Sequence, residues 1–119
     1  MGGLLMTLRD LIAELDLEVI VGEDELDKPI EGGYCSDLLS FVMSRSAKNY
    51  VWITLQSHPN IVAVASLVDL AAVIVTEGVQ IEQETLDKAK REKAVILRSQ
   101  DTSYEIAGQL YQLGVKSHV

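Results

Sequence analysis

The sequence predicts an α/β fold: a small three-layer domain in which helices cover both faces of a mostly parallel sheet. Strand-like and helix-like segments alternate from Tyr34 onward, as in chains built from strand–helix–strand units. Tyr50–Gln56 is rich in β-branched and aromatic residues, which favour strands, and Ala71–Thr76 is apolar throughout, as in parallel strands covered on both faces. With 119 residues the chain is long enough for one core, so a single domain over residues 1–119 is expected.

The N-terminal third carries one helix and two short strands. Thr7 precedes an apolar helical pattern, and Asp10 suits the first turn of a helix that Thr7 caps. Leu17–Gly22 indicates a strand, and an acidic loop follows it. Ile30–Tyr34 is a second extended segment, in which the pair Gly32–Gly33 is typical of a turn. The pattern leaves open whether these two strands join an edge of the sheet or pair antiparallel.

Two helices are predicted on either side of the strand Tyr50–Gln56. Ser36 or Asp37 is expected to cap the first helix. Pro59 suits the first turn of the second helix, Ile61–Val68, which is apolar nearly all round and is therefore expected to be buried. The aromatic residues of the strand are interpreted as core or dimer-interface residues, because no basic groove accompanies them.

One more strand lies between the last two predicted helices. Glu82–Lys93 has acidic residues at its start and basic residues towards its end, which complements a helix dipole. Ala94–Arg98 is the next strand. Thr102 and Glu105 then form the T-x-x-E pattern of a capping box, and Gly114 is expected to end the last helix.

The net charge of −8 comes from 18 acidic and 10 basic residues. It argues against nucleic-acid binding and against adsorption on anionic membranes, since both need clustered Lys and Arg. Residues 1–37 hold ten acidic and two basic side chains, whereas the remaining chain is balanced. This acidic segment is interpreted either as a solvated edge or as a surface that docks on a basic partner.

Cys35 is the only cysteine, so no intrachain disulfide is possible. Met1–Met6 is too short and uncharged to resemble a secretory signal. The apolar stretch Ile61–Thr76 is nearly long enough for a membrane span, but it contains Asp69, and we interpret it as two buried elements. A cytoplasmic location without membrane association is the expectation.

The sequence contains neither a P-loop nor a G-x-G-x-x-G fingerprint. No cluster of residues has metal-ligand spacing, so neither a metal nor a cofactor is predicted. Cys35 and His58 both follow predicted strands and are a conceivable nucleophile and base, but single cysteines are more often buried small hydrophobes. His118 is expected to be frayed. We therefore expect no catalytic residues and no enzymatic activity.

Polar side chains follow the predicted strands at their carboxyl ends. Ligands of open α/β sheets bind at that edge, where helix N-termini offer free N–H groups. The loop Gln56–Asn60 holds the densest set of neutral donors and acceptors, and Ser99–Thr102 is a further loop of this kind. Ser57, His58 or Asn60 can equally cap a helix, a role that is compatible with ligand contact. The candidate ligand-binding residues are Ser36, Asp37, Thr54, Gln56, His58, Asn60, Thr76 and Glu77.

Five segments together resemble the DRTGG domain family: 33–40, 51–54, 58–66, 72–78 and 104–111. The resemblance runs from about Leu8 to Gly114, and the pentapeptide that names the family is absent. It implies an accessory domain, like those beside nucleotide-sensing CBS pairs in regulated pyrophosphatases and within long phosphotransacetylases. The fold implied is similar to the N-terminal domain of the kinase that acts on the histidine-containing phosphocarrier protein. The kinase chemistry of that enzyme belongs to a separate P-loop domain, which this sequence lacks.

Two functions are therefore carried forward. The first is a non-catalytic regulatory module that senses a nucleotide or phosphorylated metabolite at the strand-end loops and acts as a homodimer, since two-fold dimers are the commonest oligomers. The alternative is an interaction or assembly module without a small ligand, which docks on a protein partner through the acidic N-terminal segment.

Overall fold

Five helices, five strands and one 3₁₀ turn follow one another along residues 6–117, the part of the chain that this computed structural model describes. His118, expected to be frayed, lies outside the described residues. The strands are β1 (Glu18–Val21), β2 (Gly32–Cys35), β3 (Tyr50–Thr54), β4 (Ala72–Val75) and β5 (Ile96–Arg98). The helices are α1 (Leu8–Leu15), α2 (Leu39–Arg45), α3 (Asn60–Val68), α4 (Gln83–Glu92) and α5 (Ser103–Gln112), and the 3₁₀ turn is Glu23–Glu25.

The strands form one sheet in the order β1-β5-β4-β3-β2. The four strands from β2 to β5 are parallel, and β1 pairs antiparallel with β5 at one edge. The sequence left the pairing of these two N-terminal strands open. Both lie at an edge of the sheet, but β1 is antiparallel to its neighbour and β2 is parallel to its neighbour. At the opposite edge, the outer side of β2 is partly covered by the C-terminal segment, where Gly33 N donates to Lys116 O at 2.9 Å.

Helices cover both faces of the sheet, so the predicted three-layer α/β fold is confirmed. Helices α1 and α5 pack on one face against the side chains of Val51, Ile53 and Ile74. Helices α2, α3 and α4 pack on the other face, which carries the wholly buried Trp52. Neighbouring side chains of a strand point to opposite faces, which is why the parallel strands are apolar along their whole length.

The helix Ile61–Val68, which was expected to be buried, is buried on one side only. Leu67 is 73% exposed, and Ala63 and Ser66 are exposed as well. Helix α3 belongs to an outer layer and packs between α2 and α4, so one of its sides faces solvent despite the apolar sequence. None of the helices within residues 6–117 has the length and the hydropathy that crossing a membrane requires.

The expectation of a turn at Gly32–Gly33 is wrong, because both residues lie in β2 and are buried. A Cβ atom at Gly32 would overlap the ring of Tyr50, its neighbour on β3. The glycine therefore makes room for a buried tyrosine.

Helix caps agree with the sequence pattern in part. The capping box of Thr7 and Asp10 is present with both of its hydrogen bonds. The capping box predicted at Thr102 and Glu105 is only half formed. The Thr102 hydroxyl accepts from Glu105 N at 3.2 Å, but the Glu105 carboxylate lies 3.4 Å from the Thr102 hydroxyl instead of bonding to the backbone N–H of Thr102. Helix α2 is capped by neither Ser36 nor Asp37: its N-cap residue is Leu38.

Candidate functional site

The carboxyl ends of the four parallel strands lie at one edge of the sheet, where four loops lead into helices α2, α3, α4 and α5. We call these loops (residues 36–38, 55–59, 76–82 and 99–102) together with the last strand residues the strand-end edge. Seven of the eight candidate residues lie on it, and the eighth, Asn60, is the first residue of α3. Their side chains, however, do different things.

Asp37 joins the ends of β2 and β3. Its Oδ1 atom accepts hydrogen bonds from the Thr54 hydroxyl at 2.7 Å and from Leu55 N at 2.8 Å. Gln56 completes the junction, since its Nε2 donates to the Asp37 carbonyl at 2.9 Å and its backbone N donates to Thr54 Oγ1 at 3.1 Å. Thr54 is fully buried, and its hydroxyl holds the loops after β2 and β3 together.

Thr76 and Glu77 join the end of β4 to α5. The hydroxyl of the buried Thr76 lies 2.6 Å from the Ser103 hydroxyl, and Ser103 N donates to Glu77 Oε2 at 3.3 Å. The carboxylate of Glu77 therefore accepts from an N–H that has no partner within α5, and it lies at the positive end of the α5 dipole. Glu77 holds this position with a left-handed backbone (φ 60°), in a turn that the bond from Val79 N to Thr76 O closes.

Ser36, His58 and Asn60 act locally. The Ser36 hydroxyl accepts from Leu38 N at 3.1 Å, and the Ser36 carbonyl accepts from Trp52 Nε1 at 2.7 Å. His58 Nδ1 accepts from Asn60 N at 3.2 Å, so the imidazole satisfies an N–H at the start of α3, as the capping alternative proposed. An imidazole that accepts at Nδ1 in its neutral form carries its proton at Nε2.

A cleft of about 370 Å³ opens at the strand-end edge, and we call it the strand-end cleft. Three candidate residues line it, and three further lining residues were not among the candidates. Glu82 was missed because an acidic residue before a helix is explained by the helix dipole alone. The residues that line the strand-end cleft are Asp37, Leu55, Gln56, Ser57, His58 and Glu82.

The strand-end cleft is rich in hydrogen-bond acceptors and carries no positive side chain. Two carboxylates, Asp37 and Glu82, stand with the amide of Gln56 and the imidazole of His58, and no Lys or Arg is among the lining residues. The carboxylates accept hydrogen bonds from hydroxyl and amino groups, whereas the Nε2–H group of His58 donates one. The wall is fixed on one side because the Thr85 hydroxyl of α4 donates to the Ser57 carbonyl at 2.6 Å.

Arg98 brings a positive charge to the end of β5, and sequence reasoning did not single it out. One of its terminal nitrogens donates to the Gly78 carbonyl at 3.1 Å, while its buried Nε has no hydrogen-bond partner. Within residues 6–117, no carboxylate oxygen forms an ion pair with it. The side chain of Arg98 is half-buried, so its charge, which no carboxylate of the described residues neutralises, is open to an anion from solvent.

Cys35 and His58 line different cavities. Cys35 contributes to a cavity of about 290 Å³ between β2 and α5, together with Ile53 and Ala107, whereas His58 lines the strand-end cleft. Burial, and secondly the Asp37 carboxylate, raise the pKa of the Cys35 thiol, which lowers its thiolate fraction. Within residues 6–117, no group of three His, Cys, Asp or Glu side chains is placed to hold a metal ion.

A comparison of the sequence with family models and with curated proteins finds no match. The structure is similar to a solved one, the CBS and DRTGG domains of the regulatory region of Clostridium perfringens pyrophosphatase, complexed with its activator diadenosine tetraphosphate. The TM-score is 0.73 at 16% sequence identity, and the match covers 89% of this chain and 46% of that chain. This chain therefore spans about half of that regulatory region. The likeness confirms a DRTGG-like fold.

Proposed function

We propose that this protein is a non-catalytic regulatory module that senses a nucleotide or a phosphorylated metabolite at the strand-end edge and works as a homodimer. The observation that carries the proposal is the strand-end cleft, which lies where open α/β sheets bind ligands and is walled by residues tied to β2, β3 and α4. The similar regulatory region binds a nucleotide activator, which supports the same ligand class here.

The cleft suits the uncharged part of such a ligand. Its volume of about 370 Å³ lies within the range of small-molecule sites, roughly 300–1,000 Å³. Asp37 and Glu82 offer carboxylate oxygens to ribose hydroxyls or to an exocyclic amino group, in the way an acidic residue holds a ribose in dinucleotide-binding folds. Phosphate groups need a cation, and the half-buried Arg98 at the same edge supplies one.

A continuous set of hydrogen bonds provides a route from the cleft to α5. Asp37 binds the Thr54 hydroxyl, Thr76 N donates to the Thr54 carbonyl at 3.1 Å, and the Thr76 hydroxyl meets Ser103 at the start of α5. A ligand that hydrogen-bonds to the Asp37 carboxylate at Oδ1 therefore competes with the Thr54 hydroxyl and with Leu55 N for the same oxygen atom. We propose that this competition transmits ligand binding to Ser103 at the start of α5.

Residues 1–119 are proposed to form one domain in the cytoplasm, without a catalytic role. Cys35 is exposed and unpaired, which is compatible with a reducing compartment. The raised pKa of its thiol works against nucleophilic chemistry at neutral pH.

The alternative, docking through the acidic N-terminal segment, has less support. Asp27 already pairs with Arg9 at 3.3 Å and Glu25 with Lys28 at 3.9 Å. The acidic 3₁₀ turn also shares a cavity with Lys90 of α4 and with Lys93, which follows that helix. Acidic side chains that already have basic neighbours in the same chain attract a basic partner less strongly. We therefore do not propose docking through the acidic N-terminal segment.

The test is thermal unfolding of the full chain with a panel of nucleotides and sugar phosphates. A ligand at 100 times its Kd stabilises the native state by about 2.7 kcal/mol. This corresponds to a Tm increase of roughly 10 °C for a domain of this size. Absence of any shift across the panel would overturn the proposal.

A matched pair of variants locates the binding site. Glu82 lines the cleft, whereas Glu84 is exposed on the first turn of the same helix and lies outside it. Glu82→Gln is expected to reduce the ligand-induced shift, and Glu84→Gln is expected to leave it unchanged. Equal shifts in both variants would place the ligand elsewhere.

A further inference from the structure

Helix α5 exposes two large aromatic side chains on its outer face. Its inner face packs on the sheet through the buried Ile106 and Leu110. On the outer face, Tyr104 is 89% exposed and Tyr111 is 61% exposed. Exposed tyrosines are enriched at protein–protein interfaces and lose little conformational entropy when they are covered.

Gly108 lies between the two tyrosines, four residues after Tyr104 and three before Tyr111, near the middle of the exposed face. A Cβ atom at this position would meet nothing within 4 Å, so no contact inside the described chain requires a glycine. Glycine weakens a helix relative to alanine. A shallow concavity of about 450 Å³ lies on this face, and Tyr104, Ala107 and Gly108 line it with neighbouring polar residues.

We infer that this outer face of α5 is the contact surface for a second copy of this chain, with the two α5 helices antiparallel about a two-fold axis at Gly108. The inference rests on the proposed homodimer and assigns its interface. A two-fold contact requires a surface that complements itself. Residues equally far from Gly108 on opposite sides then meet, so Tyr104 lies opposite Gln112 of the second copy, and Glu105 lies opposite Tyr111.

Charge complementarity supports a second copy as the occupant. Lys116 Nζ lies 3.8 Å from the centre of the Tyr111 ring, so its charge sits beside that tyrosine. In the antiparallel arrangement Tyr111 faces Glu105 of the second copy, and Lys116 comes to face the same carboxylate. The two-fold axis repeats this opposite-charge contact at the other end of the helix pair. The parallel arrangement would instead bring like charges together.

The test measures the dimer dissociation constant of the full chain by sedimentation equilibrium. Gly108→Leu fills the concavity without breaking the helix and is expected to weaken the dimer at least tenfold. Lys116→Glu is also expected to weaken it, and adding Glu105→Lys in the same chain is expected to restore the affinity, because the pair is exchanged. Leu67→Ala, on the exposed side of α3, is the control and is expected to change nothing.

The outcomes separate the interface from the proposed function. A wild-type dimer that Gly108→Leu and the charge exchange leave unchanged would overturn the α5 interface and leave the homodimer standing. A wild-type chain that stays monomeric at all concentrations would overturn both the interface and the homodimer. Ligand sensing is measured separately, by the thermal shift of the same wild-type chain. A folded Gly108→Leu monomer with unchanged circular dichroism would support the interface.

Discussion

The Asp37 carboxylate accepts a hydrogen bond from the Thr54 hydroxyl at 2.7 Å, across the ends of two neighbouring strands. The donor belongs to a fully buried threonine and the acceptor to an exposed aspartate, so the bond connects the core to the rim of the strand-end cleft. Asp37 is thus both a part of the fold and a group that a ligand meets.

Asp37→Ala is expected to lower the free energy of unfolding by about 1–2 kcal/mol, since it removes two hydrogen bonds to a carboxylate that is partly solvated. Thr54→Val is expected to have an effect of similar size. Urea unfolding of both single variants and of the double variant gives the coupling energy. Because the two groups contact each other, the double variant is expected to lose less than the sum of the single losses.

The matched control is Asp101→Ala, because Asp101 lies exposed at the same edge and contributes backbone rather than side-chain hydrogen bonds. It is expected to change stability by less than about 0.5 kcal/mol. Additive effects of Asp37→Ala and Thr54→Val would contradict the role given to their hydrogen bond.

Gly32→Ala is expected to destabilise the fold by about 1–3 kcal/mol, the usual range for overpacking a core. The added methyl group would enter the space of the Tyr50 ring, which is buried and cannot move aside freely. Gly33→Ala is the control. Its Cβ would come 3.3 Å from a Val115 side-chain methyl, so a smaller loss is expected. Thermal unfolding compares the two variants, and an equal loss would contradict the assigned role of Gly32.

Glu77→Gly and Glu77→Ala separate backbone strain from side-chain contact. Both variants remove the carboxylate from the α5 N-terminus. Only glycine adopts φ 60° without a penalty, which for other residues is about 1–2 kcal/mol. Glu77→Ala is therefore expected to be less stable than Glu77→Gly by about 1 kcal/mol in denaturant unfolding. Equal stability of the two variants would argue against strain at this turn.

The reactivity of Cys35 is expected to depend on Asp37. The pKa of the thiol is raised by burial and by the nearby carboxylate, so a disulfide reagent should react half-maximally at a higher pH than it does with an unperturbed thiol. Asp37→Asn removes the negative charge and is expected to shift the profile to lower pH. A profile at or below that of free cysteine would contradict the raised pKa.

The raised pKa of the Cys35 thiol also makes the stability of the fold depend on pH. The folded state holds the thiol proton more tightly than the unfolded state. The resulting contribution to the free energy of unfolding is fully present below the pKa that the thiol has in the unfolded chain, and it is lost as the pH rises through the pKa that the thiol has in the folded state.

The sequence was sufficient for the fold class and for the strand ends, because parallel strands buried on both faces leave a continuous apolar pattern and their polar carboxyl ends meet at one edge. It was not sufficient for the orientation of β1. Four residues, Glu18–Val21, fit an edge strand in either direction, and only their pairing with β5 decides it.

Partners of single side chains were equally hidden in the sequence. Asp37 does not cap α2, because its carboxylate accepts a hydrogen bond from the hydroxyl of Thr54, which lies 17 residues later in the chain. Glu82 enters the cleft because α4 is anchored to the loop after β3, a tertiary contact with no local pattern. Gly32 resembles a turn residue until the ring of Tyr50 is placed beside it.

The pairing of β1 with β5 also sets an order for folding on the ribosome. Glu18–Val21 meets its partners 75 to 80 residues later in the chain, so the first strand stays unpaired until residues 96–98 have been made. Such long-range closure is slow and exposes strand edges to other chains. The ten acidic residues among the first 37 give the waiting segment a like charge that opposes its association with neighbouring nascent chains.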